Sequence, residues 1–141
     1  MKNKFFIAIP LAISLYPAHA NNCNHLNISI FNKSGHACVL RSTNLTSGQI
    51  IMGQAPSIIE NGEKALTFTL QQTYTTGPNI RLEYECENKT ISISSRQDLC
   101  VMYAGFIYGD YSSSNNVHAN YSAKVGSWWR SIPGEINWTI E

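Results

Sequence analysis

Charged residues are scarce in this sequence, and the patterns typical of amphipathic helices or common catalytic motifs are missing. Asp, Glu, Lys and Arg make up 13% of the 141 residues, about half of what soluble domains usually carry. No stretch has a sustained apolar period of 3.6 residues. The chain also lacks G-x-S-x-G, H-E-x-x-H, a phosphate-binding glycine loop and the spaced acids of a calcium loop. The sequence therefore provides no catalytic signature.

The segment "MKNKFFIAIPLAISLYPAHA" predicts a secretory signal peptide at residues 1–20. Lys2 and Lys4 precede an apolar run, and Ala18-His19-Ala20 forms an A-x-A site, which predicts cleavage after Ala20. The apolar run is shorter than a membrane span of about 20 residues, and no later stretch is apolar enough to be one. We expect a secreted or periplasmic protein with one domain at residues 21–141.

Neither sign of charge predominates in the expected mature chain. The whole sequence has ten Lys and Arg and nine Asp and Glu, and two of the lysines lie in the leader, which leaves eight against nine. A balance this close to zero favours neither a nucleic-acid partner nor a basic membrane-surface patch.

Four cysteines, at Cys23, Cys38, Cys86 and Cys100, fall in the predicted mature chain. An even number in an exported protein predicts two disulfides, for which three connectivities are possible. The sequence favours Cys23 with Cys38 and Cys86 with Cys100, because each bridge closes a loop of about 15 residues. A zinc site is the alternative, but no C-x-x-C pair is present. We therefore predict no metal and no cofactor.

Strict alternation of apolar and polar residues recurs along the chain and predicts strands with one buried face. The segments "IRLEYEC" and "TISIS" are separated by "ENK" and should form a hairpin. In "INWTI", Trp138 shares a face with Ile136 and Ile140 and should be a core residue. Further alternating segments are "LNISIF", "LTFTL" and "VHANYSAKV".

Two segments lack this alternation. "VMYAGFIYG" is either a strand covered on both faces or one disturbed by a bulge at Gly105. "GDYSSSNN", residues 109–116, is predicted to be a polar loop. The whole pattern predicts an all-β protein, a single-domain antiparallel β-sandwich of about eight or nine strands with two disulfides. A small closed barrel is the alternative.

One local group contains the residue types of a hydrolase. His118 and Asp110 flank the serines at 112–114. A solvated loop beside a strand explains the same residues, so a secreted hydrolase is the less favoured function. We predict a protein that is not an enzyme.

Aromatic residues concentrate in the last 40 positions and include the neighbours Trp128 and Trp129. If the chain is extended there, Trp128 faces inward like Ile132, and Trp129 is exposed beside Arg130. Alternatively, the 109–116 segment covers Trp129. Exposed aromatics suit a lipid headgroup, a sugar ring or a protein partner. The predicted binding residues are Tyr108, Asp110, Tyr111, His118, Trp129 and Arg130.

The order of "ISIFNKSG", "SGQIIMG", "SIIENGEKALTFTL", a hairpin and the closing "GEINWTIE" resembles the aegerolysins, which are small secreted β-sandwiches. The resemblance covers most of residues 26–141 in layout. It implies recognition of a membrane lipid through aromatic residues and loops at one end of the sandwich, often with a larger partner that forms a pore.

Together these observations predict a secreted binding protein directed at a host or competitor cell, with a membrane lipid as its partner. The alternatives are a module that binds a cell-surface glycan or a host protein, or a secreted inhibitor.

Overall fold

Strands account for nearly all of the regular structure in the computed structural model, which describes residues 21–141. They number ten, and one short 3-10 turn at Asn22–Asn24 precedes the first of them. The all-β prediction is confirmed, with slightly more strands than expected. The predicted leader, residues 1–20, lies outside the described residues.

The strands form two five-stranded sheets that enclose one core. The bounds of the strands are β1 His25–Asn32, β2 Cys38–Ser47, β3 Gln49–Met52, β4 Ile58–Ile59, β5 Phe68–Gln71, β6 Asn79–Cys86, β7 Lys89–Gln97, β8 Ile107–Ser113, β9 Ala119–Lys124 and β10 Gly134–Ile140. The first sheet has the order β3-β5-β1-β10-β9, and the second has the order β4-β2-β6-β7-β8. The predicted sandwich is confirmed.

One strand pair differs from the prediction of an antiparallel sandwich. β1 and β10 lie side by side and run parallel, with Ile28 opposite Ile136 and Ile30 opposite Trp138. All other strand pairs among the described residues are antiparallel. No tight turn joins the first and last strands, so chain connectivity does not force them to run in opposite directions.

The core contains the alternating apolar residues that the sequence predicted. β6 and β7 form the expected hairpin, and Tyr84 of β6 lies opposite Ile91 of β7, with both side chains fully buried. Trp138 is 1% exposed, and its indole Nε1 donates a hydrogen bond of 2.8 Å to the Ser95 hydroxyl. The bond satisfies the one polar group of this large buried side chain.

Three segments differ from the sequence predictions. Leu66 is 90% exposed, because β5 begins only at Phe68. β9 buries Ala119 but leaves Tyr121 about half exposed, because β9 is the edge of its sheet. Residues 101–105 contain no strand, whereas much of the predicted 109–116 loop belongs to β8.

The disulfide pairing that the sequence favoured is wrong. The bridges join Cys23 to Cys100 and Cys38 to Cys86. β2 pairs with β6 so that Cys38 lies directly opposite Cys86. Strand pairing thus joins cysteines that are distant in sequence, although shorter loops separate each of them from another cysteine. Two disulfides are typical of an oxidising compartment.

Gly109 lets β8 pass closely over two aromatic rings. A Cβ atom at this position would lie 2.6 Å from the Tyr121 ring and 2.8 Å from the Trp138 ring. Replacing Gly109 by Val is therefore expected to lower the free energy of unfolding by about 1 to 3 kcal/mol, the usual effect of overpacking. Urea denaturation measures the change.

Ser112→Val is the control for this substitution. Ser112 is exposed on the same strand, and its replacement should change the free energy of unfolding by less than about 0.5 kcal/mol. A Gly109→Val protein as stable as the control would show that the rings do not constrain this position.

Candidate functional site

Four segments meet at one end of the sandwich, which we call the aromatic end. Residues 21–24 precede β1, residues 72–78 join β5 to β6, residues 98–106 join β7 to β8, and residues 125–133 join β9 to β10. The strand directions in the two sheets bring all four segments to the same end.

Large apolar side chains project into solvent from this end. Tyr74 is 100% exposed, Trp129 85% and Tyr103 82%. Val101, Met102 and Phe106 are each about two-thirds exposed. Single exposed apolar residues are normal on protein surfaces, but a concentration of large ones marks a contact surface.

Charge is nearly absent from the aromatic end and abundant at the opposite end. The four segments contain two charged residues, Asp98 and Arg130. At the opposite end, His36 Nε2 lies 3.0 Å from a Glu87 carboxylate oxygen. That end also carries Lys33, Glu60, Glu63 and Lys64. The two ends of the sandwich are therefore suited to different surroundings.

Hydrogen bonds from the start of the chain hold the 125–133 segment. The Asn21 side-chain Nδ2 donates to the Trp128 carbonyl oxygen at 2.6 Å, and the Asn22 amide donates to the Ser131 hydroxyl at 2.9 Å. These bonds fix the backbone on both sides of Trp129.

The 98–106 segment is fixed by a disulfide and by a glutamine side chain. Cys100 is bonded to Cys23, and Gln72 both accepts from the Cys100 amide at 2.8 Å and donates to the Cys100 carbonyl at 3.2 Å. The Asp98 amide donates to the Phe106 carbonyl at 2.9 Å, which closes the base of the loop. The exposed side chains of this segment therefore project from a fixed backbone.

Neighbouring segments of the aromatic end also share a cavity. Tyr74 and Val101 line a space of about 600 Å³ between the 72–78 and 98–106 segments. Its wall includes Asn24, Gln72, Thr73 and Cys100, and contains no charged side chain.

The two neighbouring tryptophans lie on a turn, so the premise of an extended chain is wrong. Ser127 and Ile132 pair as an isolated bridge, and residues 128–131 form the turn between them. Trp129 is nevertheless exposed, and the alternative that residues 109–116 cover it is wrong. Trp128 is partly buried and meets Trp129 edge to face, with ring centroids 5.1 Å apart.

Tyr108 and Asp110 belong to a different surface, the outer face of the second sheet. The Arg96 guanidinium lies 4.5 Å from the centre of the Tyr108 ring. The Tyr108 hydroxyl donates to an Asp98 carboxylate oxygen at 3.1 Å, and this hydrogen bond is the main reason that the pKa of Tyr108 is raised. Asp110 lies further along β8, opposite Ser94 of β7.

The six predicted binding residues therefore do not form one site. Trp129 and Arg130 lie at the aromatic end. Tyr111 lies opposite the buried Ile93, and Tyr111 itself is 40% exposed. His118 is at the charged end, where its backbone pairs with that of Glu141.

The sequence analysis did not identify Tyr74 and Arg96 as functional candidates, and it placed residues 101–105 in a strand. One feature of the sequence is nevertheless compatible with an exposed loop at residues 101–105. "CVMYAGF" is apolar, uncharged and without alternation, which fits an exposed loop with apolar side chains as well as it fits a buried strand. Tyr74 had no such signal, since it lies alone in a polar turn.

Within residues 21–141, no helix is long and apolar enough to cross a membrane. In the same residues, no group of three His, Cys, Asp or Glu side chains is placed to hold a metal ion.

Solved structures share the fold, although no protein-family model and no curated protein matches the sequence. The chain is similar to the lipid binding protein Nakanori, with a TM-score of 0.67 and 11% identity over 83% of this chain and 70% of that one. It is also similar to IP-1A from Alcaligenes faecalis, with a TM-score of 0.55 and 13% identity over 85% and 91% of the two chains. These identities show the fold alone, and neither protein is described as an aegerolysin.

Proposed function

We propose that this protein is secreted and binds lipid membranes of a host or competitor cell by placing its aromatic end in the membrane interface. The observation that carries the proposal is the exposure of Trp129, Tyr103, Tyr74 and Phe106 from segments with almost no charge. Tyr and Trp rings favour the boundary between lipid headgroups and acyl chains, because they are apolar with one polar edge.

Two further observations support membrane binding. The aromatic end is held by a disulfide and side-chain hydrogen bonds, so little ordering is needed on binding. A lipid binding protein shares the fold, which makes the proposal compatible with the architecture. Fold similarity alone does not assign a function.

The proposed activity is binding and not catalysis. Asp110 lies in the middle of β8, and His118 lies at the charged end beside Glu141. The hydroxyl of Ser114 lies 3.4 Å from the Thr90 carbonyl oxygen and also accepts the Thr90 amide at 2.9 Å. These contacts support a structural role for residue types that would otherwise suggest a hydrolase.

Replacing Trp129 and Tyr103 together by Ser is expected to weaken binding to phospholipid vesicles at least tenfold. Burying one large apolar side chain contributes about 1.5 to 3 kcal/mol, and each 1.4 kcal/mol is tenfold in affinity. Both side chains are exposed, so the thermal midpoint should hardly change. Vesicle co-sedimentation and thermal denaturation measure the two effects.

Leu66→Ser is the matched control for apolar exposure. Leu66 is 90% exposed but lies outside the aromatic end, so its replacement should leave vesicle binding unchanged. Equal losses in the control and in the double variant would show that the aromatic end is not the membrane surface.

A second candidate function, binding of a protein partner, is favoured by exposed apolar residues at the edge strands β3 and β4. Met52 of β3 is 67% exposed and Ile58 of β4 is 54% exposed, and Leu66, which is 90% exposed, lines a cavity together with Ile58. If this edge is the functional surface, Leu66→Ser should abolish binding to cells while the Trp129 and Tyr103 double variant retains it.

A further inference from the structure

A small cavity on the outer face of the second sheet lies close to the aromatic end. Its volume is about 260 Å³, and it is lined by Asn79, Ser94, Arg96, Tyr108, Gly109 and Asp110. Asn79, Arg96 and Tyr108 form one cross-strand row, and Ser94 and Asp110 belong to the next row on this face. Ser94 is a small side chain two residues from Arg96 on β7 and opposite Asp110 on β8, so it leaves space between the two charged residues.

Arg96 is held in place while its hydrogen-bond donors remain unused. Its guanidinium lies over the Tyr108 ring, and the hydrogen bond from Tyr108 to Asp98 fixes that ring. Within residues 21–141 the Arg96 guanidinium has no hydrogen bond or ion pair to another side chain. A guanidinium stacked in this way presents its N–H groups at its edge, in the geometry that suits two oxygens of a phosphate.

Asp110 places the opposite charge at the same cavity. Its carboxylate also has no ion-pair partner in the described chain, and it does not pair with Arg96. The next charges along this face, Arg81 opposite Ser94 and Glu83 opposite Ser92, are again one of each sign. The cavity therefore presents a separated positive and negative charge on a face with no excess of either.

This arrangement selects among possible ligands. A simple anion would be attracted by Arg96 but repelled by Asp110, and a simple cation would meet the reverse. A group that carries a phosphate and an ammonium on adjacent atoms of a short chain satisfies both residues.

We propose that this cavity binds the phosphate and ammonium of a zwitterionic phospholipid headgroup, an inference that rests on the proposed membrane function. Phe106 of the aromatic end precedes Tyr108 by two residues, or about 7 Å along the strand. When the aromatic end enters the interface, Arg96 and Tyr108 lie at the depth of the headgroups. The phosphate contacts Arg96 and the ammonium contacts Asp110.

The test uses vesicles that differ in headgroup charge. Vesicles of phosphatidylcholine and phosphatidylethanolamine carry both charges on every headgroup, whereas phosphatidylglycerol carries phosphate without ammonium. Arg96→Gln and Asp110→Asn are each expected to weaken binding to the zwitterionic vesicles about tenfold, as for loss of a charge-assisted contact. On phosphatidylglycerol, Asp110→Asn is expected to bind as well as the wild type or better, because a repulsive charge is gone.

Arg81→Gln and Glu83→Gln are the matched controls, since both residues lie on the same face but do not line the cavity. They should leave binding to both kinds of vesicle unchanged. The proposal is overturned if Asp110→Asn binds zwitterionic vesicles as tightly as the wild type, or if Arg96→Gln does. It is also overturned if the controls lose as much affinity as the cavity variants.

Titration with soluble glycerophosphocholine separates the cavity from the membrane function. Its binding shifts the Arg96 Nε–H resonance in NMR spectra, and Asp110→Asn should abolish the shift. A shift without vesicle binding would support the cavity and contradict the membrane function. Vesicle binding that depends on Trp129 and Tyr103, but not on Arg96 or Asp110, would support the membrane function and overturn the cavity.

Discussion

Replacing Trp138 by Ala is expected to lower the free energy of unfolding by about 3 to 5 kcal/mol, the range for large buried aromatics. The ring is 1% exposed and packs against Tyr121, with ring centroids 5.0 Å apart. Its loss leaves a cavity beneath β8 and removes the indole donor from the buried Ser95 hydroxyl. Urea denaturation monitored by circular dichroism measures the change.

Trp138→Phe and Trp129→Ala separate the contributions to this effect. The Phe variant keeps most of the buried apolar surface but removes the hydrogen bond to Ser95, so its loss should be smaller than that of the Ala variant. Trp129 is 85% exposed, and its replacement should change stability by less than about 0.5 kcal/mol. A Trp129→Ala protein as unstable as Trp138→Ala would show that the exposed ring is a packing residue.

The core could be predicted from the sequence because it depends on a local pattern. In β6, β7 and β10 the buried residues alternate with more exposed ones. The exposed positions are mostly polar, so the two-residue alternation can be recognised in the sequence. Trp138 could be assigned to the core from Ile136 and Ile140 alone. Side-chain alternation needs no knowledge of which strands pair.

The position of β8 could not be predicted, because long-range contacts determine it. Gly109 and the serines after it are typical of a loop, yet Gly109 is the residue that fits over the rings of Tyr121 and Trp138. A glycine required by close approach looks the same in sequence as a glycine required by a turn. Tertiary packing here outweighs local preference.

The sequence predicted the type of residue at the candidate site, exposed aromatics, but not which residues come together there. Exposed aromatics in the last third of the chain indicated a contact surface, and Trp129 is indeed exposed. Tyr74 belongs to this surface because Gln72, at the start of the loop from β5 to β6, bonds to Cys100. Tyr74 and Val101 then line one cavity, although they are far apart in sequence. Arg96 and Asp110 line the same cavity only because the register between β7 and β8 places Arg96 opposite Tyr108 and Ser94 opposite Asp110.

Reducing both disulfides is expected to lower the free energy of unfolding by about 8 kcal/mol. In the chain-entropy model each bridge contributes about 4 kcal/mol, because each closes a long loop in the unfolded chain. The two bridges join residues 77 and 48 positions apart. Total stabilities of single domains are about 5 to 15 kcal/mol, so the reduced protein should be largely unfolded, as measured by circular dichroism with and without reductant.

Trypsin separates all four cysteines onto different fragments, which makes the pairing directly testable. For the chain cleaved after Ala20, as the sequence predicts, unreduced digests should contain fragment 21–33 joined to 97–124, and fragment 34–41 joined to 82–89. Fragment 21–33 joined to 34–41 would contradict the paired strands β2 and β6 and would restore the local pairing. Mass spectrometry before and after reduction distinguishes the two results.

The two bridges should differ in function although they contribute similarly to stability. Cys23–Cys100 fixes the aromatic end, whereas Cys38–Cys86 joins β2 to β6 beside the charged end. Replacing Cys23 and Cys100 by Ala should therefore weaken vesicle binding, at a temperature where both double variants remain folded, more than replacing Cys38 and Cys86. Equal vesicle binding by the two double variants would show that membrane contact does not depend on a fixed 98–106 segment. The aromatic side chains would then act through their apolar character alone, because a segment released from Cys23 would still carry Met102, Tyr103 and Phe106.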